Sequence, residues 1–214
     1  MTKHLRFFIL GIAAAMAASA SPIYFSSQGT ATDPSEWNTI GNTLVILKDP
    51  GWAAALPGSE WVSYAQTGNQ YIDGYVMPPN GTVVSFFEIL QLAWAPTSAT
   101  ITFMADDSAA LFINGILVQA EAAADGNLYR ICSDLAPGCR TTTAVTLNIA
   151  PYLQAGNNTL RFDVAQRGGY SYGLNYAGSA DGTQRPPDVS APEPATLAFT
   201  GGALVALGLL RRKR

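Results

Sequence analysis

The chain has 214 residues, of which 48% are hydrophobic and only 13% charged, with 20 glycines, 13 prolines and a formal net charge of −3. It holds one histidine, His4, and two cysteines, Cys132 and Cys139. Serine-histidine and cysteine-histidine catalysis and histidine-ligated zinc therefore have almost no material to work with.

The amino terminus is a targeting segment. Met1–Arg6 is short and basic, residues 7–18 are apolar, and Ala18-Ser19-Ala20 has the small-x-small form of a cleavage site. These are the three regions of a secretory signal peptide, a helix over 1–20 removed after Ala20. His4 leaves with it, so residues 21–191 contain no histidine and a single lysine, Lys48. There is no GxSxG and no phosphate-cradling glycine loop. No enzyme is expected, although carboxylate-only glycan cleavage stays open because its paired acids are set by spatial separation.

From 21 to 180 the pattern is that of one all-β domain, large enough for a sizeable core. Thr43–Leu47, Gln70–Val76, Thr82–Leu92, Ala99–Ala105 and Ala144–Ile149 are short runs rich in β-branched and aromatic residues, separated by Gly, Pro, Asn and Asp. Asn114-Gly115 between Ala110–Ile113 and Ile116–Gln119 predicts a two-residue hairpin, since both turn positions need positive φ. In Thr159–Val164, Leu160, Phe162 and Val164 alternate with polar residues as in a half-buried strand. Trp61 and Trp94 are expected in the core. Residues 181–191 lack large apolar groups except Val189 and read as a flexible stalk.

Three groups are candidates for chemistry. Asp106-Asp107-Ser108, just before the hairpin, offers adjacent carboxylates suited to a hard cation, so Asp106 and Asp107 are candidate calcium ligands; the same string is also ordinary turn chemistry. No other cofactor is expected. Tyr170, Tyr172 and Tyr176 lie in the glycine-flanked run 168–176 and are candidate ligand-binding rings, since exposed aromatics stack on the apolar faces of sugars. Cys132 and Cys139, in an exported protein, suggest a disulfide closing a loop of about eight residues, worth roughly 2–2.5 kcal/mol. The threonines at 100, 102 and 141–143 form no repeated array of the kind an ice-binding face needs.

The carboxyl terminus has three blocks: Pro192-Glu193-Pro194, an uncharged segment Ala195–Leu210, and the basic stop Arg211-Arg212-Lys213-Arg214. The 16 uncharged residues make a hydrophobic helix of roughly 24 Å, short against a hydrocarbon core of about 30 Å. The basic cluster would stay cytoplasmic under the positive-inside rule. Both a lasting single-span anchor and a temporary tether fit these blocks. Between the two targeting segments, six basic residues stand against 14 acidic ones, a net charge of −8. That leaves no basic stripe, and no nucleic-acid partner is expected.

The tail over 192–214 closely resembles the PEP-CTERM sorting segment. The resemblance implies an exosortase-type processing enzyme as partner, a Gram-negative source, transient contact with the membrane through the terminal helix, and a final place at the cell surface or in the extracellular matrix. A second resemblance runs from about Ser59 to Gly178, on Trp61, Trp94, Met104-Ala-Asp-Asp-Ser108, Phe112-Ile-Asn-Gly115, Leu153, Gly156–Val164 and Gly173-Leu174. It is similar to the galactose-binding-like β-sandwich, a jelly roll, which implies a single such domain between the two terminal helices. The Asp-Asp pair before the Asn-Gly hairpin is also similar to that of calcium-dependent adhesin lectins. Together these imply a non-catalytic protein that contacts exopolysaccharide through loops around Asp106–Asp107 and Tyr170–Tyr176. A structural envelope or biofilm protein without a specific ligand is the alternative.

Overall fold

A computed structural model of the chain describes residues 21–30, 43–122, 135–168 and 170–181, all within the first of the two units into which the chain divides, Met1–Thr183. The expected signal peptide, Cys132, the stalk beyond Asp181 and the whole sorting tail, including Pro192, Glu193, Pro194 and Arg211–Arg214, lie outside the described residues. Among the described residues, no helix is long and apolar enough to cross a membrane.

The architecture is all-β in two antiparallel sheets. Among the described residues ten strands follow in order: β1 (Ile23–Ser26), β2 (Leu44–Val45), β3 (Val62–Ser63), β4 (Val83–Leu92), β5 (Ala99–Asp106), β6 (Ser108–Ile113), β7 (Ile116–Gln119), β8 (Val145–Asn148), β9 (Gly156–Ala165) and β10 (Gly173–Ala180). The first sheet runs β2-β3-β10-β5-β8, with β1 also paired to β10; the second runs β4-β9-β6-β7. Consecutive strands mostly belong to different sheets or sit apart in one sheet, so long-range pairing dominates. The β6–β7 hairpin is the local exception. It turns at Asn114 and Gly115 with φ of 52° and 82°, the positive pair that the Asn-Gly dipeptide predicts. Asn114 also donates to the Tyr152 carbonyl and to Asn158 Oδ1, each at 2.9 Å, and accepts from the Thr159 N–H.

The main core fills the space between the sheets. Alternation places Ile101, Phe103 and Ala105 of β5 opposite Leu160, Phe162 and Val164 of β9, all essentially inaccessible. Phe103 meets Phe162 edge-on at 5.6 Å. Burying side chains of this size is worth about 1.5–3 kcal/mol each.

A second cluster covers the opposite face of the first sheet. It is built from Leu44, Ile46, Trp52, Trp61, Cys139 and Met104, the last pointing away from its β5 neighbours. The Trp52 and Trp61 rings lie 4.4 Å apart. With both faces covered, β10 leaves no room for a side chain at two of its glycines. A Cβ at Gly173 would lie 2.9 Å from Ile46 Cδ1 and 3.0 Å from Trp52 Cη2, and one at Gly178 would lie 2.3 Å from Phe25 Cζ.

Four expectations are corrected. The run 168–176 is no ligand loop over its second half: Gly173 opens a central strand. Its glycines answer to close approach of neighbours, which sequence pattern alone does not distinguish from flexibility. Gln70–Val76 forms turns, not a strand; its aromatic residues Tyr71 and Tyr75 project from a connection that no ladder organises. Trp94 is 45% exposed, because it sits in the bend that follows β4 instead of on a core-facing strand position. Asp181 belongs to the domain and not to a stalk. Its carboxylate accepts from the Thr97 and Ser98 amides at 2.9 and 3.0 Å and from Thr97 Oγ1, and its own N–H donates to the Ser98 carbonyl.

Candidate functional site

The Asp-Asp pair occupies one end of the sandwich. β5 ends at Asp106 and β6 begins at Ser108, so the sheet-to-sheet crossing leaves Asp107 between them, joined to Asp106 by a cis peptide bond. Both carboxylates are buried, 1% and 0% exposed. Trp52 Nε1 donates to Asp106 Oδ2 at 2.5 Å, and the Arg167 amide donates to Asp107 Oδ2 at 2.6 Å. Arg167 itself grips Glu121, its Nε donating to Oε1 at 2.7 Å. The two Oδ1 atoms have no such donor. Burial, then the charge of its neighbour, pushes the Asp106 carboxyl well above the usual range. Burial also raises Asp107 to about 6, against the lowering effects of a hydrogen bond from Asp106 and of the Arg167 N–H. The pair supplies two oxygens toward a cation that takes six to eight, and among the described residues no group of three or more His, Cys, Asp or Glu gathers around one point. Two buried carboxylate oxygens without a donor are thus all that the described acidic side chains offer there.

The three candidate tyrosines separate. Tyr170 is half exposed beside this end, and its carbonyl accepts from the Tyr75 hydroxyl. Tyr172 is wholly buried: its hydroxyl donates to the Val164 carbonyl at 2.8 Å and its ring meets Tyr64 edge-on at 5.9 Å. It is a core residue and offers no face to a ligand, a correction to the sequence expectation. The reason is its position one residue before β10, where both sides of the backbone are covered. Tyr176, four residues on, lies elsewhere. Cys139 is buried in the second cluster; the bridge expected from it to Cys132 involves a residue outside the described ones. Lys48, the one lysine among the described residues, donates to the Asp49 and Trp52 carbonyls, a structural role.

Tyr176 points into a cleft of about 490 Å³ between β1 and β4. These strands are the facing edges of the two sheets: β1 pairs with β10 and β4 with β9, each on one side. The apolar floor comes from Phe25, Phe86, Leu90 and Leu174. One position breaks the pattern. β4 sends Phe86, Leu90 and Leu92 inward, and alternation puts Glu88 on that same inward face. Its Oε2 accepts from the Tyr176 hydroxyl at 2.7 Å, while the Tyr176 ring stacks on Phe162 at 4.6 Å. Burial raises the Glu88 carboxyl above its ordinary value, partly offset by the tyrosine hydrogen bond. No ion pair reaches Glu88 among the described residues.

The rim is polar and open. Ser26 and Gln28 follow the exposed Tyr24 along one wall; Ile89 and Gln91 project from the other. The β1 wall is tied down where it ends, since the Ser27 N–H donates to the Tyr176 carbonyl at 3.0 Å and Ser27 Oγ to the Glu60 carbonyl at 2.6 Å. Gln28 Nε2 and Ser26 Oγ both reach the Gly58 carbonyl. Of this cleft, the sequence analysis names Tyr176 alone; the other visible signal is Glu88, an acid at an apolar phase position inside Val83–Leu92.

The fold and cleft together define a β-sandwich protein with a site between its edge strands. No protein-family model matches the chain, and no curated protein matches it. Among the solved structures similar to it at low identity are two that contain carbohydrate-related proteins. One is an α-L-rhamnosidase from Streptomyces avermitilis complexed with L-rhamnose, 16% identical over 67% of this chain, with a TM-score of 0.36. This chain spans 14% of that protein's length. The other is a family 35 carbohydrate-binding module from Clostridium thermocellum, 17% identical over 74% of this chain and 98% of the module, with a TM-score of 0.34. At these scores neither likeness assigns a function to this chain.

Proposed function

We propose that this is an exported, non-catalytic carbohydrate-binding protein of the bacterial cell surface or matrix, built on a jelly-roll sandwich of the galactose-binding-like kind. The observation that carries the reading is the cleft between β1 and β4. Its volume lies within the range of small-molecule sites, and it joins an apolar floor to convergent hydroxyl, amide and carboxylate groups, with Tyr24 exposed at the mouth. A sugar ring presents the same mixture of apolar face and hydroxyl edge. The strand order β3-β10-β5-β8 against β4-β9-β6-β7 supports the jelly-roll assignment.

The acid count of the cleft favours binding over hydrolysis. Glu88 is the one charged side chain lining the cleft among the described residues, whereas glycoside hydrolysis by carboxylates uses two across the scissile bond. The Asp106–Asp107 pair is adjacent and sealed, out of reach of a substrate. The two terminal segments support export and exosortase sorting, with the tail holding the protein at the membrane until it is processed. The orphan Oδ1 atoms of Asp106 and Asp107 support a calcium ion as a stabilising element at that end of the sandwich.

Calorimetric titration with neutral oligosaccharides, together with binding to the producer's own polysaccharide, tests the proposal. Binding that weakens severalfold in Tyr24→Ala is expected. A protein that binds none of these glycans is the structural envelope protein of the alternative reading.

A further inference from the structure

Resting on the glycan reading of the same cleft, we propose that its preferred ligand is a cationic amino-sugar polymer, the free amine of a de-N-acetylated hexosamine pairing with Glu88. The geometry starts with register. Glu88 stands opposite Leu160 on β9 and faces inward between Phe86 and Leu90, so its carboxylate projects across the cleft floor instead of into bulk water. The Tyr176 hydroxyl holds Oε2. Tyr176 is itself 5% exposed and fixed by stacking on Phe162, so the carboxylate is anchored on one oxygen by a rigid donor. Nothing else among the described residues donates to it. The lining carries serines, threonines and glutamines but no lysine, arginine or histidine.

A half-buried carboxylate with one donor and no cation is electrostatically incomplete. Burial disfavours its charge, as the raised Glu88 pKa reflects, and a ligand ammonium in contact removes that penalty. Charge-assisted hydrogen bonds are roughly twice as strong as neutral ones. An acetamido group at the same place supplies a neutral donor and more bulk, and a uronic acid meets like charge. The acidic surroundings act in the same direction, because residues 21–191 carry a net charge of −8 and draw cationic polymers while repelling anionic ones. A metal ion is a poorer occupant, since one carboxylate is too few hard ligands to hold it.

The experiment compares tetramers of glucosamine, N-acetylglucosamine and galacturonic acid by calorimetry at pH 6 and low salt, using the full chain. The glucosamine tetramer is expected to bind at least about tenfold more tightly than the acetylated one, with the uronate weakest. That margin should shrink as ionic strength rises. Glu88→Gln keeps an acceptor for Tyr176 and is expected to retain binding of the acetylated tetramer while reducing the margin to within about twofold. Tyr176→Phe keeps the charge and should keep the preference. Equal affinity for the amine and acetamide tetramers, or a preference that survives Glu88→Gln, overturns the inference and leaves the glycan reading standing. If no tetramer and no neutral glycan binds, the glycan reading falls and takes this inference with it.

Discussion

Two places in this sandwich turn carboxylates away from bulk water, and they differ in what faces them. At the end of β5, Asp106 and Asp107 are sealed, each with one oxygen held by a protein donor and one left over. Between β1 and β4, Glu88 is also held on one oxygen, but the other side opens onto a cleft. In the sealed case only something small, a proton, a water molecule or a metal ion, could reach the remaining oxygens. In the open case it can be a group that comes and goes. Access, and not the number of acids, separates a stabilising feature from a recognition feature.

The sharpest way to break this comparison is to exchange rings at the two places. Tyr172→Ala, in the sealed region, removes a fully buried ring and its hydrogen bond to Val164. It should cost about 3–5 kcal/mol in urea denaturation. Tyr24→Ala, at the open mouth and 77% exposed, should change stability by no more than about 0.5 kcal/mol and act on glycan affinity alone. Equal destabilisation by the two would erase the distinction.

Gly178→Ala tests whether β1 is a fixed wall of the cleft. The added Cβ meets Phe25 Cζ at 2.3 Å and the Thr100 carbonyl oxygen at 2.7 Å, and the latter is backbone that cannot rotate away. A loss of about 1–3 kcal/mol is expected, together with weaker oligosaccharide binding as β1 shifts from β10. A variant of unchanged stability and affinity would mean that the wall is softer than described.

The sealed pair sets a pH dependence that calcium should reverse. Asp107 is raised to about 6 from an unfolded value of 3.8, so between these values the folded chain binds more protons than the unfolded one. Its contribution is complete below about pH 4 and is lost as pH rises through 6. In EDTA the melting temperature should therefore fall between pH 4 and pH 7 from this source. Millimolar calcium should raise it at pH 7 more than at pH 4, and Asp107→Asn should remove the calcium effect. Melting curves superimposable with and without calcium at pH 7 would leave the proton as the sole occupant. A last prediction concerns Cys139: mass spectrometry of the protein produced under oxidising conditions should find it bridged to Cys132, and reduction should cost roughly 2 kcal/mol.

Much of the fold was legible where alternation runs along a strand or a tight turn joins two. Val83–Leu92, Ala99–Ala105, the Asn114-Gly115 hairpin and Thr159–Val164 all show alternation or turn chemistry that local sterics enforce. Strand β10 was not legible as a strand: both of its faces are covered, its glycines are there because Phe25, Ile46 and Trp52 come close, and glycine is equally the mark of a loop. β1 and β3, of four and two residues, are too short for a period to register. The candidate site followed the same rule. Asp106–Asp107 stood out as a string, but that it would be sealed did not; Tyr170, Tyr172 and Tyr176 looked equivalent and end up exposed, in the core and at a cleft floor.

By itself, then, the sequence determined an all-β domain with an acidic character once its terminal segments are set aside, a histidine-free chemistry, and the position of one tight turn. These depend on composition and on interactions between near neighbours. Which carboxylate meets solvent, and which tyrosine meets which carboxylate, was decided only when β1 and β4 came to face each other across the two sheets. Glu88 and Tyr176 are 88 residues apart in the chain, and no local pattern encodes a contact that depends on the stacking of two separate sheets.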